Sequence, residues 1–304
     1  MRKTKYMRIV AALLIGAVAI GGLTACDLEF GISSSTVRSE EIRSVVFETE
    51  GMPIIDADSA NGSVSVRGVE GQTDVRITAT LRSGGKNLEE AQDRVSRIKL
   101  QMSQSADRIT LVYRTSDQDP DVRRHSGVSF DVTLPTSAEA DVNTSNGSIE
   151  LDNMSGVFRA ETSNGRIAAE DLSGSLDADT SNGGITVYRA TGEFRLDTSN
   201  GEIRLEDVEG TLEAETSNGQ ILFHGRPVGD RLKLRTSNGR IDVAIPSDSS
   251  VTVDARTSNA SISSNLPLLG DTEGHEWFAT LNAPAETLMI LRTSNGSIRI
   301  KDLP

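Results

Sequence analysis

Four acidic side chains recur at one position of a repeated motif in the second half of the chain. Each directly precedes a Thr-Ser-Asn-Gly tetrapeptide, at steps of 18 residues: Glu161, Asp179, Asp197 and Glu215. If the repeated units lie on one another, the four carboxylates form a column in which like charges raise one another's pKa or attract a divalent cation. The column is therefore the candidate site for a cation or ligand, or for the acid–base groups of a polysaccharide-cleaving β-helix. Against both, charge runs are usually solvated faces, and the Gly-Asp nonapeptides of calcium β-rolls are absent, so we expect an outer, solvated face.

The motif that carries these carboxylates occurs eight times, as Thr-Ser-Asn followed by Gly or Ala. Its asparagines are Asn146, Asn164, Asn182, Asn200, Asn218, Asn238, Asn259 and Asn295. Catalysis needs one asymmetric site, which eight equal copies do not form. We therefore interpret the copies as bends, in which Asn and Gly supply positive φ angles and the Asn amides bond from one unit to the next.

The histidines give no alternative catalytic or metal centre. His125, His224 and His275 are the three in the chain, and none has a cysteine or carboxylate at metal-ligand spacing. The sequence thus predicts neither a zinc site nor a Ser-His-Asp triad, and no metal or cofactor.

The elements that position the column are set by the period of the repeat. Four successive steps between copies are 18 residues, and the next steps are 20, 21 and 36 residues. Such a period indicates stacked units, each of which buries its apolar face against its neighbours. The residue two after Gly is always isoleucine: Ile149, Ile167, Ile185, Ile203, Ile221, Ile241, Ile262 and Ile298. These side chains, with two further aliphatic columns before each Thr, are expected to point inward.

Two architectures fit this pattern. Asn-Gly between alternating runs is also the strongest short signal for an antiparallel hairpin, which would give a meander. However, the charge three residues before Thr alternates in sign from copy to copy, as in Asp141, Arg159 and Asp177. That alternation stabilises copies that lie directly on one another in a parallel stack. We therefore predict an all-β, single-stranded parallel β-solenoid, β-helix-like, with about 18 residues per coil.

The solenoid is expected over residues 136–304, with an insertion at 267–284 in which Trp277 and Phe278 close the end of the stack or contact a sugar ring. Residues 44–135 alternate as strands do, and Ser59–Gly62 is interpreted as a degenerate first copy of the repeat. Helical spacing of apolar residues predicts one short α-helix, residues 87–102, capped by Asn87 and covering an open end or face of the sheet.

The first residues have the features of an export signal. Four basic residues precede the apolar run 9–22, which is followed by Leu-Thr-Ala-Cys ending at Cys26, the one cysteine of the chain. This tetrapeptide resembles the lipobox of bacterial lipoproteins, which implies removal of residues 1–25, acylation of Cys26 (palmitate among the acyl chains) and attachment to the cell membrane from the extracytoplasmic side. Residues 26–43 are expected to form a tether.

The charge of the mature chain limits its partners. Removal of residues 1–25 leaves 27 Lys and Arg against 44 Asp and Glu, a net charge of −17. Such a surface repels nucleic acid, so no nucleic-acid partner is expected, and contact with the membrane would come through the lipid anchor.

The lipobox, the Asn-Gly-x-Ile repeat and the strand-rich segment before it together resemble the bacterial putative-adhesin β-strand-repeat lipoproteins, which carry a domain of unknown function. The resemblance covers about residues 44–300 and implies a fold rather than a catalytic motif. Three hypotheses for function follow. The first is a non-enzymatic, lipid-anchored platform that binds another envelope protein, a glycan or a surface. The others are a polysaccharide-acting enzyme that uses the carboxylate column, and a regulatory partner of a membrane signalling system.

Overall fold

The computed structural model describes residues 37–303, so the predicted signal peptide, Cys26 and residues 26–36 of the predicted tether lie outside the described residues. Most of the described chain is β-strand. The elements before the repeat are β1 (Val37–Glu48), β2 (Ile54–Ser59), β3 (Val64–Val69), β4 (Asp74–Gly85), α1 (Leu88–Ser96), β5 (Gln101–Ser105), β6 (Arg108–Tyr113), a 3-10 turn (Thr115–Asp117), α2 (Pro120–His125) and β7 (Ser126–Pro135). The elements of the repeat are β8 (Glu139–Thr144), β9 (Ile149–Thr162), β10 (Ile167–Thr180), β11 (Ile185–Thr198), β12 (Ile203–Thr216), β13 (Ile221–His224), β14 (Arg231–Thr236), β15 (Ile241–Ile245), β16 (Val251–Thr257), β17 (Ile262–Ser264), β18 (Leu269–Asp271), β19 (Glu276–Leu281), β20 (Thr287–Thr293) and β21 (Ile298–Asp302).

Each complete coil is one long strand bent at two corners and followed by a Ser-Asn-Gly turn. In β10 the bends are at Asp171, with φ 53°, and at Gly174, with φ 126°. Glycine recurs at the second bend of four coils, as the sequence predicted, because an L side chain rarely adopts this region. The two halves of the strand form two sides of the coil.

Neighbouring coils are parallel and in register. Ile167 pairs with Ile149 on one side and with Ile185 on the other, a shift of one full repeat in each direction. The parallel β-solenoid predicted from the alternating charges is confirmed, and the antiparallel meander is wrong. The shared register also places identical side chains on one another along the stack.

The stacking order departs from chain order at the C-terminal end. The last long strand, β20, lies between β14 and β16, and β21 lies between β15 and β17. The 36-residue step in the sequence is therefore the place where the chain leaves the stack and returns one coil earlier. As a result Ile290 lies between Lys233 and Asp254 in the stack. The alternation of charge three residues before each Thr therefore ends at Lys233 and does not continue to Asp254.

The parallel stack also extends below the first Thr-Ser-Asn-Gly copy. On one side β2 lies between β6 and β8, and on the other β3 lies between β7 and β9. Antiparallel strands complete this end: β4 pairs with β7 and β1, and β5 pairs with β6. Because β1 begins at Val37, residues 37–43 belong to the sheet rather than to the predicted tether.

The interior is a narrow aliphatic core. All eight repeated isoleucines are buried, between 0 and 7% exposed, and the two other predicted columns are buried with them. Burial of each isoleucine contributes about 1.5–3 kcal/mol before the loss of chain entropy is subtracted.

The helical region differs from the prediction in two respects. Helix α1 ends at Ser96 rather than residue 102, because Met102 lies in β5, and Leu88 faces solvent. A second helix, α2, is present where the sequence predicted none. The predicted cap is present, since Asn87 Oδ1 accepts a hydrogen bond from the Glu90 amide at 2.8 Å, and α1 packs on β4 and β1. Neither described helix is long and apolar enough to cross a membrane.

The segment 267–284 forms a hairpin of β18 and β19 on the outer edge of β16. Trp277 packs against the core, as expected of a residue that closes the stack, whereas Phe278 is 63% exposed. Of these two aromatic residues, only Trp277 therefore covers the last coil.

Candidate functional site

The four predicted carboxylates are neighbours on one outer side of the stack. Glu161 pairs in register with Asp179, Asp179 with Asp197, and Asp197 with Glu215, at the strand spacing of about 4.8 Å. The side chains point outward and are exposed or half-buried. We refer to these four residues as the carboxylate column.

Packing and mutual repulsion perturb the middle of the column. Partial burial raises the pKa of Asp179, and the neighbouring Glu161 carboxylate raises it further. Burial likewise raises the pKa of Asp197, with added repulsion from Asp179 and Glu215. Glu161, at one end of the column, forms an ion pair with Arg159 of the same strand.

An amide side chain adjoins one end of the column, and a basic side chain adjoins the other. Asn143 precedes Glu161 in the stack, and Arg235 follows Glu215. Within residues 37–303 no group of three or more His, Cys, Asp or Glu side chains has an arrangement that could hold a metal ion. Cation binding by the column stays a prediction, and its geometry is that of a solvated strip under internal repulsion.

Beside the column, the repeated asparagines form a continuous chain of side-chain hydrogen bonds, which we call the asparagine ladder. It joins nine residues through Nδ2–Oδ1 distances of 2.7–2.9 Å. In stacking order they are Asn61, Asn146, Asn164, Asn182, Asn200, Asn218, Asn238, Asn295 and Asn259. The presence of Asn61 confirms that Ser59–Gly62 is a degenerate first copy.

The repeated threonines hold the same corner from inside. Thr162 Oγ1 donates to the Gly147 carbonyl of the preceding coil at 3.0 Å and accepts from the Gly165 amide of its own turn at 3.1 Å. Equivalent pairs recur along the stack. Since the threonine side chains are at most 7% exposed, their hydroxyls satisfy backbone groups and are not presented as nucleophiles.

The glycine of the motif is required for a reason that the sequence reasoning missed. The prediction that Asn and Gly of the turn supply positive φ angles is wrong, because the positive values lie elsewhere, at residues such as Asp171 and Gly174. A Cβ atom on Gly165 would lie 1.6 Å from the Gly147 carbonyl oxygen, and one on Gly183 would lie 1.7 Å from that of Gly165. Inside the stack the turns are too close for a side chain at this position, and alanine takes it only in the outermost copy, as Ala260.

A cleft of about 610 Å³ lies at the β2–β3 end of the asparagine ladder. We call it the ladder-end cleft. Its ionisable lining residues are Arg38, Arg82 and His125, and the rest of the lining is glycine, serine, Asn61 and Asn146. The sequence reasoning missed this cleft because its residues come from five separate segments, and Arg38 was assigned to the tether.

The three histidines lie in different elements. His125 ends α2 at the cleft, and His224 ends β13. His275 follows β18, and its Nδ1 is 2.6 Å from the Ala260 carbonyl oxygen. Each therefore has its own structural setting.

Comparisons with known proteins bear on the repeat. Residues 189–301, from within β11 to β21, match the family model described as Toastrack DUF4097. No curated protein matches the chain in sequence. Among solved structures, the chain is similar to a putative adhesin from Bacteroides fragilis, with 13% identity, a TM-score of 0.45 and coverage of 90% of this chain and 100% of that one.

Two proteins from Parabacteroides distasonis are also similar. One is a putative adhesin, with 12% identity, a TM-score of 0.42 and coverage of 86% of this chain and 97% of that one. The other is a putative lipid binding protein, with 11% identity, a TM-score of 0.41 and coverage of 87% and 97%. At these TM-scores the similarities give no information about the function of the site. The match of residues 189–301 to the Toastrack DUF4097 model, a domain of unknown function, agrees with the β-strand-repeat family that the sequence resembles.

Proposed function

We propose that this protein is a non-enzymatic, lipid-anchored cell-envelope protein whose solenoid is a rigid platform for adhesion or for binding another envelope component. The observation that carries the proposal is the unbroken asparagine ladder, which runs from Asn61 to Asn259 through every copy of the motif. Because each rung constrains the spacing of two coils, the outer faces present side chains at a fixed interval of about 4.8 Å. A surface of this kind suits a repetitive partner such as a glycan or an elongated protein.

The polar groups of the repeat support a binding role over a catalytic one. The threonine hydroxyls and asparagine amides of the repeated motif form hydrogen bonds between coils, so their contribution is structural. The groups left for recognition are the exposed serine of each copy and the outward-facing charges of each coil.

The anchor would be Cys26. Eleven residue steps separate it from Val37, where β1 begins, and a fully extended chain spans at most about 3.6 Å per residue. The folded part would then stand within roughly 40 Å of the lipid surface. This end of the stack would face the membrane, and the β16–β19 end would project away from it.

The experiment that tests this proposal is crosslinking in intact cells followed by identification of the captured neighbours. The matched control is Cys26→Ser, which removes the acylation site and leaves residues 37–303 unchanged. We expect the wild type to capture an envelope protein or glycan reproducibly. We expect the Cys26→Ser protein to be lost from the membrane fraction. If Cys26→Ser fractionates with the membrane as the wild type does, the anchor is refuted. If neither crosslinking nor a panel of glycans yields a partner, the platform role is refuted.

A second candidate function is polysaccharide cleavage by the carboxylate column, favoured by the raised pKa values of Asp179 and Asp197. A carboxyl group with a raised pKa can act as a general acid. The double variant Asp179→Asn with Asp197→Asn tests it directly. Glycan cleavage by the wild type that disappears in a folded double variant would replace the platform proposal with an enzymatic one.

A further inference from the structure

We propose that the ladder-end cleft is a binding site for a compact oxyanion of the phosphate type. The inference deepens the proposed platform role by naming a ligand class for one end of the solenoid, and it rests on that role only for its use in the envelope. The site itself follows from the charges, the hydrogen-bond direction and the space of the cleft.

The charge of the cleft is opposite to that of the chain. Its ionisable lining residues are Arg38, Arg82 and His125, and no lining residue is acidic. Arg82 donates from Nε to Glu40 at 2.8 Å, with both side chains 55% exposed, so this ion pair is weak and competes poorly with a ligand. No described carboxylate forms an ion pair with Arg38. An anion that enters the cleft therefore meets two guanidinium groups, and no carboxylate lines the cleft.

The asparagine ladder adds a directed row of dipoles that ends at the cleft. Asn164 donates from Nδ2 to Asn146 Oδ1 at 2.8 Å, and Asn146 donates to Asn61 Oδ1 at 2.7 Å. Every rung has this same direction, so the amide dipoles are aligned head to tail and polarise one another. Asn61 is the last member, and no described residue accepts a hydrogen bond from its Nδ2. The donor end of the ladder is thus the amide of Asn61, which lines the cleft.

The neighbouring hydrogen bonds at this corner have the same direction. The backbone amide of Asn164 donates to the Ser145 carbonyl, and the hydroxyl of Thr162 donates to Gly147 of the preceding coil. The threonine row ends internally, because Ser59 of the first copy donates to the Val128 carbonyl at 2.7 Å. Of the two side-chain rows, only the asparagine row therefore presents a donor to the cleft. Aligned donors that end at an open site favour a negative charge there, as at the positive end of other aligned peptide dipoles.

The walls of the cleft allow an oxyanion to come close. Gly62, Gly127 and Gly147 lie in the lining without side chains, and a Cβ on any of them would collide with a backbone carbonyl. Among the five lining serines, Ser126 donates to Ser83 Oγ and Ser83 to the His125 carbonyl, so the other three supply further hydroxyl donors. The volume of about 610 Å³ is within the range of ligand pockets, so a phosphate group and part of its substituent fit.

Two sources could supply the phosphate group. Arg38 follows Cys26 by 12 residues, so a lipid headgroup lies within reach if Cys26 is acylated. A soluble phosphorylated compound offers the same chemistry. The charge and donor set recognise the phosphate in either case.

The test is a titration of the mature chain, purified in detergent, with inorganic phosphate at low ionic strength, followed by amide chemical shifts or calorimetry. A second arm measures binding to vesicles of phosphatidylglycerol and of phosphatidylcholine. Arg38→Gln removes the arginine that forms no ion pair with a described carboxylate. Asn61→Asp keeps the oxygen that accepts from Asn146 but replaces the terminal donor by a carboxylate. Arg231→Gln, at the start of β14 and far along the stack, is the control with the same change of charge.

The proposal expects saturable phosphate binding that Arg38→Gln and Asn61→Asp weaken by about tenfold or more and Arg231→Gln leaves unchanged. Stronger binding to phosphatidylglycerol than to phosphatidylcholine, lost in the same two variants, assigns the lipid source, and phosphate binding alone assigns a soluble one. Thermal unfolding checks that each variant is folded. The proposal is overturned if phosphate does not saturate, if a folded Asn61→Asp binds as the wild type does, or if Arg231→Gln weakens binding equally. Capture of an envelope partner does not depend on these results, so failure here leaves the platform role standing.

Discussion

Two adjacent glycines should respond in opposite ways to the same substitution. A Cβ atom on Gly183 would lie 1.7 Å from the Gly165 carbonyl oxygen, whereas one on Gly184 would lie 3.1 Å from the Glu202 carbonyl oxygen. Neither residue has a positive φ angle, so backbone strain does not distinguish them. Alanine at position 183 would force two coils apart, whereas alanine at position 184 needs a shift of a few tenths of an ångström.

The cost of Gly183→Ala can be worked out from the contacts that the shift breaks. Separating the turns by more than 1 Å stretches the Asn182–Asn164 rung, 2.8 Å, and the bond from Thr180 to the Gly165 carbonyl, 3.1 Å. Each contributes about 1 kcal/mol net, and overpacking adds about 1–3 kcal/mol. We expect a loss of about 3–5 kcal/mol for Gly183→Ala, which lowers Tm by roughly 10 °C in a protein of this size. Gly184→Ala should stay within about 1 kcal/mol of the wild type, since alanine also restricts the unfolded chain.

The assay is urea unfolding followed by circular dichroism, with Tm measured in parallel. Gly184→Ala is the matched control, because it changes the same atoms one residue away. Equal stability of the two variants, or a Gly183→Ala protein as stable as the wild type, would refute close stacking of the turns.

Three further predictions concern side chains. Thr180→Val should cost about 2–4 kcal/mol in urea unfolding, because it leaves two backbone groups without the buried hydroxyl that joins them, and Thr180→Ser should recover most of this. The double variant Asp179→Asn with Asp197→Asn should raise Tm at neutral pH, since the raised pKa values mean that ionisation of these carboxyls destabilises the folded state; the gain should disappear below about pH 3.9, where the wild-type groups are also neutral. Hydrogen bonds from Arg94 lower the pKa of Asp121 to about 2, so its contribution to stability is present above about pH 4 and is lost as the pH falls towards 2; an unchanged difference between wild type and Asp121→Asn across that range would contradict this assignment.

The period of the repeat was enough to predict the stack, because an invariant spacing and a buried isoleucine column leave few other ways to bury the apolar side. The alternating charges of Asp141, Arg159 and Asp177 selected the parallel arrangement, and the register confirms it. The carboxylate column followed from the same register. These features are local to one coil and its neighbours, so one sequence contains them in full.

What could not be predicted depends on contacts between distant segments. The insertion of β20 between β14 and β16 joins strands that are not consecutive, and only the 36-residue step hinted at it. Met102 has helical spacing but pairs in β5 with β6, so tertiary pairing overrode a local pattern. The ladder-end cleft, which combines Arg38 with Asn61 and His125, has no local signal at all.

The coils lie directly on one another in the order that the strand pairing gives. Disulfide trapping is the most direct test of this order. In a Cys26→Ser background, Ser237→Cys is combined with Ser294→Cys or with Ser258→Cys. Ser237 and Ser294 lie in adjoining turns, and Ser258 lies one coil beyond Ser294. Adjoining strands are about 4.8 Å apart, within the range for a disulfide, and alternate ones are about 10 Å apart, beyond its limit of about 7 Å. We expect rapid oxidation of the 237–294 pair and none of the 237–258 pair. Oxidation of the 237–258 pair alone would contradict this stacking order.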